Sequence, residues 1–158
     1  MPRQVLAFAQ KAIIERGKDI LVLVNSPTAQ FNPSMIHLPG GRMEFGENVD
    51  EHIKREVFEE TGVQVDPLDP VDIVTWSLEE GADKRKDLED IQLQVVAVVR
   101  RCKFVSCNST MENKKDCEGF DHLMWINPLE LVNDQNFDRK MLNSLKMYID
   151  RFRSTKAH

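Results

Sequence analysis

Apolar positions dominate Val5 to Glu15, and the turn signal Gly17-Lys18-Asp19 follows at once. Ile20 to Val24 is a compact run of β-branched and leucine residues. The two segments predict a first strand and a buried second strand joined as a hairpin. Asn25 to Ser34 carries Pro27 and Pro33 and shows no period, so it predicts a loop. Ile36-His37-Leu38-Pro39 predicts a short extended piece, because a proline drives the residue before it out of the helical region. It delivers the chain into Gly40-Gly41.

Val49, Ile53 and Val57 recur at i, i+4 and i+8 and mark the expected buried face of a helix. Asn48 or Asp50 can cap it, and Thr61-Gly62 ends it with a glycine suited to the left-handed position. Val63 to Asp66 then predicts a brief strand, Pro67 to Pro70 a turn, and Val71 to Leu78 a strand containing Trp76. Glu79 to Asp90 is dense in charge of both signs and reads as a solvated hairpin loop. The alternative is a flap that brings Lys84, Arg85 or Lys86 to a phosphate. Ile91 to Val105 is the longest strand pattern, and its Val-Val-Ala-Val-Val centre predicts a strand covered on both faces. Ser106 to Glu118 reads as a polar loop, Gly119 to Ile126 as a final strand, and Pro128 as the start of a short helix through Val132. From Phe137 to Phe152, Leu142, Leu145, Ile149 and Phe152 recur at steps of three and four, which predicts an amphipathic helix. Strands at the centre and helices on both faces make the expected fold an α/β/α sandwich on a central mixed β-sheet.

At 158 residues the chain is expected to be one domain, 1–158, with a core that needs no disulfide or structural metal. A net charge of -5 argues against bulk nucleic-acid binding, yet leaves a small phosphorylated ligand open, because a bound metal reverses the local potential. Cys102, Cys107 and Cys117 form no Cys-x-x-Cys pair, which fits a reducing, cytoplasmic setting. A zinc site built from these three with His122 is the alternative. No run approaches the roughly 20 apolar residues of a membrane span. The oligomeric state, a homodimer included, is left open.

The unusual chemistry lies in the helix. With Val49 at zero and roughly 100° per residue, Ile53 and Val57 project near about 40° and 80°, Glu60 near about 20°, Glu56 near about 340° and Glu59 near about 280°. The acids therefore flank the expected buried face instead of opposing it. Carboxylates at a core margin are costly unless a cation neutralises them, and hard oxygen ligands select Mg²⁺, with Mn²⁺ as a substitute. Arg55 precedes Glu56 and has Glu59 at i+4, placing it to orient a catalytic glutamate. The plainer reading is a surface ion pair. Glu47, just ahead of the helix, reads as structural, a cap-like helper or a partner of Arg55.

Gly41-x5-Glu47-x7-Arg55-Glu56-Val57-x-Glu59-Glu60-x-Gly62-Val63 resembles the Nudix box, with nine signature positions filled across 23 residues. The surrounding strand order is similar to the MutT-like Nudix fold. The resemblance implies a hydrolase acting on phosphoanhydride bonds of a nucleoside diphosphate linked to another moiety. It also implies Mg²⁺ held by Glu56, Glu59, Glu60 and the Gly40 carbonyl, Arg55 orienting a box glutamate, and a glutamate as general base. In some members a later loop carboxylate takes part; here the candidates are Glu112, Glu118 and Asp121, with Glu118 favoured.

Markers outside the box bear on the small-molecule nucleotide. The proline of the ADP-ribose class is absent around Ser77-Leu78-Glu79, and the only tyrosine, Tyr148, is far from the place where the diadenosine polyphosphate class carries one. The NADH and coenzyme A signatures are also missing. The resemblance then leans to nucleoside triphosphates, oxidised ones included, giving a nucleoside monophosphate and pyrophosphate, with nucleotide sugars as the alternative. Trp76, Phe31 and Phe137 are candidates to stack on a base, each with a core or rim role as the plainer reading. Asn136 is a candidate to read a base edge and Arg42 to touch phosphate. A non-catalytic Nudix nucleotide sensor and an enzyme trimming RNA 5′ ends are the rival readings.

Overall fold

A computed structural model describes residues 3–78, 90–108 and 120–153, the side chains of 120–122 excepted. The elements are β1 (Arg3–Arg16), β2 (Asp19–Asn25), β3 (Ile36–His37), β4 (Gly40–Arg42), α1 (Val49–Thr61), β5 (Val63–Leu78), β6 (Ile91–Cys107), β7 (Phe120–Ile126) and α2 (Pro128–Leu131). A 3₁₀ turn (Arg139–Met141) runs into α3 (Leu142–Phe152). The strands form one seven-stranded sheet ordered β3-β2-β1-β6-β5, with β4 added to β1 and β7 to β2. β1 and β6 are parallel over Arg3↔Ile91 to Glu15↔Lys103, while the other strand pairs are antiparallel, so the sheet is mixed as expected.

Alternation along β1 sorts the core into two layers. Ile13 points to one face with Ile20, Val22, Val71 and Val99, covered by Leu131, Met141, Leu145 and Tyr148 from α2 and the C-terminal helical segment. Ala12 and Ile14 point to the other face with Leu21 and Cys102, covered by Ile53 and Val57 of α1. Helices on both faces of a sheet are the α/β/α sandwich.

The predicted hairpin exists, but β1 and β2 pair only at Glu15↔Ile20 and Arg16↔Asp19. The strands then part, and β4 takes the β1 edge at Ala9↔Arg42, Gln10↔Gly41 and Lys11↔Gly40. The glycine pair is thereby inserted into the sheet.

Four expectations need correction. Val63 to Leu78 is one long strand, not a strand, a turn and a strand. β5 is an edge strand, so Pro67 and Pro70 are absorbed as register shifts without costing an interior ladder bond. The last helix begins after Phe137, which instead bridges to Ile36, and Asp138 caps the 3₁₀ turn through the Lys140 N–H at 3.1 Å. Val49, at the first turn of α1, is 47% exposed, and His52, Ile53, Val57 and Thr61 form the buried face. β6 is buried on one face at Leu93, Val95, Ala97 and Val99, while Val96 and Val98 on the other are half-buried. Among the described residues no helix is long and apolar enough to cross a membrane.

Candidate active site

The site grows from the two ends of α1. Asn48 caps the helix by accepting the Glu51 N–H at 2.9 Å, and Gly62 closes it at φ 74 while donating its N–H to the Phe58 carbonyl. Between the caps, Arg55 gathers the acids. Its Nε donates to Glu47 Oε2 at 2.6 Å and its Nη2 to Glu47 Oε1 at 2.8 Å. Its Nη1 donates to Glu56 Oε1 at 3.2 Å and Glu59 Oε2 at 3.1 Å. The bidentate hydrogen bonds from Arg55 hold the Glu47 carboxyl down at about 2, and the same bonds, helped by Glu56 and Glu59, push the guanidinium further above its usual range.

Glu60 turns the other way and accepts the Gly40 N–H at 2.6 Å. Lys11, on the neighbouring strand, donates to the Gly40 carbonyl through a long 3.5 Å bond. Both glycines are required by space. Gly40 has φ +143, and a Cβ there would meet the Gln10 carbonyl oxygen at 2.0 Å. A Cβ on Gly41 would lie 2.7 Å from Glu56 Oε2, so the missing side chain is what lets that carboxylate sit against the backbone.

Behind the glycines lies a buried polar pair. The Gln10 amide donates to the Val49 carbonyl at 2.7 Å and to His52 Nδ1 at 2.8 Å, and His52 Nε2 lies 2.9 Å from the Gly41 carbonyl. A carbonyl accepts only, and an amide NH₂ donates only. Hence Nδ1 is the acceptor, Nε2–H the donor, and the ring is neutral. Burial lowers its proton affinity.

These groups open onto a cleft of about 1640 Å³. Its lining includes Gly40, Gly41, Arg42, Glu47, Arg55, Glu56, Glu59 and Glu60, the apolar side chains of Phe8, Trp76, Leu78, Leu93 and Val95, and Phe31 of the β2–β3 loop. A polar corner holds His37, Asp138 and Lys140. His37 Nε2 lies 2.8 Å from Asn25 Oδ1, and burial, with Lys11 nearby, pulls its pKa down to about 4. Lys140 Nζ pairs with Asp138 at 3.2 Å and stands 5.7 Å over the Trp76 ring.

Arg55, Glu56, Glu59, Glu60, Gly40, Arg42, Trp76 and Phe31 thus share one cleft. Phe137 does not join them; it is 1% exposed inside the core, which corrects its candidacy as a stacking ring. Asn136 is exposed and outside the cleft lining, with its carbonyl accepting the Ile36 N–H. Glu112, Glu118, Cys117 and the Lys84–Lys86 segment lie outside the described residues, and Asp121 falls on β7. Cys102 is a core thiol, pushed up to about 12 by burial. The residues that sequence reading passed over are Lys11, His37, Asp138, Lys140, Gln10 and His52. The available signals were a lysine and a glutamine inside an apolar strand and a histidine beside Ile53.

Among the described residues no three His, Cys, Asp or Glu side chains stand ready-made around a metal, since Glu56 and Glu59 turn to Arg55 and Glu60 to Gly40. The donor set still fits a hard divalent cation. It offers carboxylate and carbonyl oxygens on one wall, with Glu56 seated in the cradle that a Gly41 Cβ would fill.

The NUDIX domain profile matches residues 6–145. The fold is similar to that of a MutT protein from Methanosarcina mazei Go1, at TM-score 0.70 and 20% identity over 93% of this chain and 95% of that one. It is equally similar to a NUDIX hydrolase from Nitrosomonas europaea, at TM-score 0.70 and 20% identity over 92% and 90%. An ADP-ribose pyrophosphatase from Streptococcus suis 89-1591 follows at TM-score 0.62 and 18% identity over 94% and 93%. The sandwich and its carboxylate-bearing helix define a hydrolase of pyrophosphate bonds. The chain belongs to the Nudix family.

Proposed function

We propose that this protein hydrolyses nucleoside triphosphates, oxidised ones included, to a nucleoside monophosphate and pyrophosphate. The observation that carries this reading is the convergence of Arg55, Glu56, Glu59 and Glu60 on one cleft whose lining also includes Trp76 and the apolar side chains of Leu78, Leu93 and Val95. Glu56, Glu59, Glu60 and the Gly40 carbonyl would hold Mg²⁺, or Mn²⁺ in its place. When bound, that ion would neutralise diphosphate oxygens and acidify a water. Arg55 keeps the Glu56 and Glu59 carboxylates aimed. Glu59, the more exposed of the two at 49% against 15%, takes the proton as the water oxygen attacks phosphorus. The bridging P–O bond breaks and its electron pair leaves with the departing product, pyrophosphate or the nucleoside monophosphate according to which phosphorus is attacked. Arg42 meets a phosphate, and Trp76 stacks on the base.

Nucleotide sugars are the second reading. It is favoured by the cleft volume of about 1640 Å³, above the roughly 300–1,000 Å³ of ordinary small-ligand sites. The test is a panel of triphosphates, oxidised nucleotides, nucleotide sugars and dinucleotides with Mg²⁺ or Mn²⁺, scored by product identity. Turnover is expected to vanish in Glu59→Gln and Glu60→Gln while the far-UV circular dichroism is kept. No turnover on any member, with ligand affinity equal in the presence and absence of metal, would establish a nucleotide sensor instead.

A further inference from the structure

We propose that His52 is a positioning residue of this site: held by Gln10 from β1, it sets the Gly41 carbonyl and so the placement of the Gly40–Gly41 backbone against Glu56 and Glu60. The inference rests on the metal-dependent reading above.

Gln10 and His52 are 1% and 0% exposed, in a layer otherwise built from Ala12, Ile14, Ile53 and Val57. Burying two polar side chains there costs free energy that an apolar pair would not. What the polar pair adds is direction. Gln10 stands opposite Gly41 in the β1–β4 register and also reaches across to α1 at Val49 and His52. His52 returns from α1 to the Gly41 carbonyl, closing a loop of hydrogen bonds through three elements. β4 has three residues, and one backbone bond at each end, Ala12 N–H to the Pro39 carbonyl and Met43 N–H to the Phe8 carbonyl, both at 2.8 Å, extends its ladder. These bonds hold β4 to β1, whereas the His52 bond holds it to α1.

That depth matters because the same backbone meets two of the acids. Glu60 is held by the Gly40 N–H at 2.6 Å, and Glu56 lies where a Gly41 Cβ would be. Functional constellations tolerate shifts of only about 0.5 Å. Removing the His52 bond leaves the Gly41 carbonyl tied to β1 alone and lets both acids drift relative to Gly40.

The experiment compares wild type with His52→Leu and His52→Gln. It measures Mn²⁺ affinity by electron paramagnetic resonance, amide hydrogen exchange at residues 40–42, and thermal unfolding. His52→Leu is expected to weaken Mn²⁺ binding about 10-fold, the scale for loss of an outer-shell hydrogen bond, and to speed exchange at 40–42. His52→Gln keeps an N–H donor for the Gly41 carbonyl and is expected to recover to within about 3-fold of wild type. A folded His52→Leu protein with unchanged Mn²⁺ affinity and exchange would overturn the proposal, as would glutamine performing no better than leucine. Should His52→Leu fail to fold, Gln10→Met removes the amide that orients His52, and the same two readouts must move in the same direction. Should wild type bind no Mn²⁺, the metal reading falls by itself, and exchange at 40–42 alone decides the role of His52.

Discussion

Arg55 and Glu47, eight positions apart, meet through two hydrogen bonds of 2.6 and 2.8 Å, while the same guanidinium reaches Glu56 and Glu59. One planar cation therefore ties the loop before α1 to the acids within it. Glu47 serves as the anchor that leaves Nη1 pointing at the other two carboxylates.

Lysine at position 55 would keep the charge and lose the fork. Arg55→Lys is expected to lower kcat about 10²-fold, the effect of misplacing a group by about 1 Å. Thermal stability should fall as well, because the lost fork is a bidentate bond between side chains only 23% and 15% exposed. Steady-state kinetics beside a melting curve checks both halves.

The two glycines should fail in different ways. Gly40→Ala drives a Cβ into the Gln10 backbone at 2.0 Å, at a φ of +143 that suits glycine alone, and neither strand can yield. A loss of about 1–3 kcal/mol or more in urea unfolding is expected. Gly41→Ala meets only the mobile end of Glu56, at 2.7 Å. The protein should stay folded, with Glu56 displaced and hydrolysis reduced.

His37 gives a pH signature to stability. Its pKa falls from 6.5 in the unfolded chain to about 4 in the fold, because burial disfavours the imidazolium and Lys11 repels it. Between these values the unfolded state binds the extra proton, so stability is full above pH 6.5 and declines as pH drops toward about 4. His37→Asn is expected to flatten that segment of the curve. Denaturant titrations at pH 7 and pH 4.5 check it.

Away from the cleft, Tyr148 Oη donates to Glu15 Oε2 at 2.6 Å and accepts from Arg153 Nε at 2.8 Å, locking α3 to the β1–β2 hairpin. Arg153 also reaches the Lys18 carbonyl at 2.9 Å. Tyr148→Phe should cost about 1–3 kcal/mol, the usual range for a buried bond to a charged group. The kinetics should be unchanged, which separates this clamp from the site.

Much of the protein is legible in one dimension. Strand alternation around Ile13, the Asn48 and Gly62 caps, and the crowding of Glu56, Glu59 and Glu60 beside Arg55 are local signals, carried by spacing along a strand or helix. Local period determines which side chains share a face, and that suffices for the sandwich and for the clustering of the acids on one helix. The continuity of β5 through Pro67 and Pro70 could not be read this way, because a proline is tolerated or not according to whether its strand lies at an edge. The same holds for Phe137, whose ring points into the core because its backbone bridges to Ile36. The glycine pair, Lys11 and the Gln10–His52 pair become one arrangement only where β1 leaves β2 and accepts β4. Pairings between residues 20 to 42 positions apart depend on sheet register and on which groups lose water together, and those are decided when the tertiary structure forms.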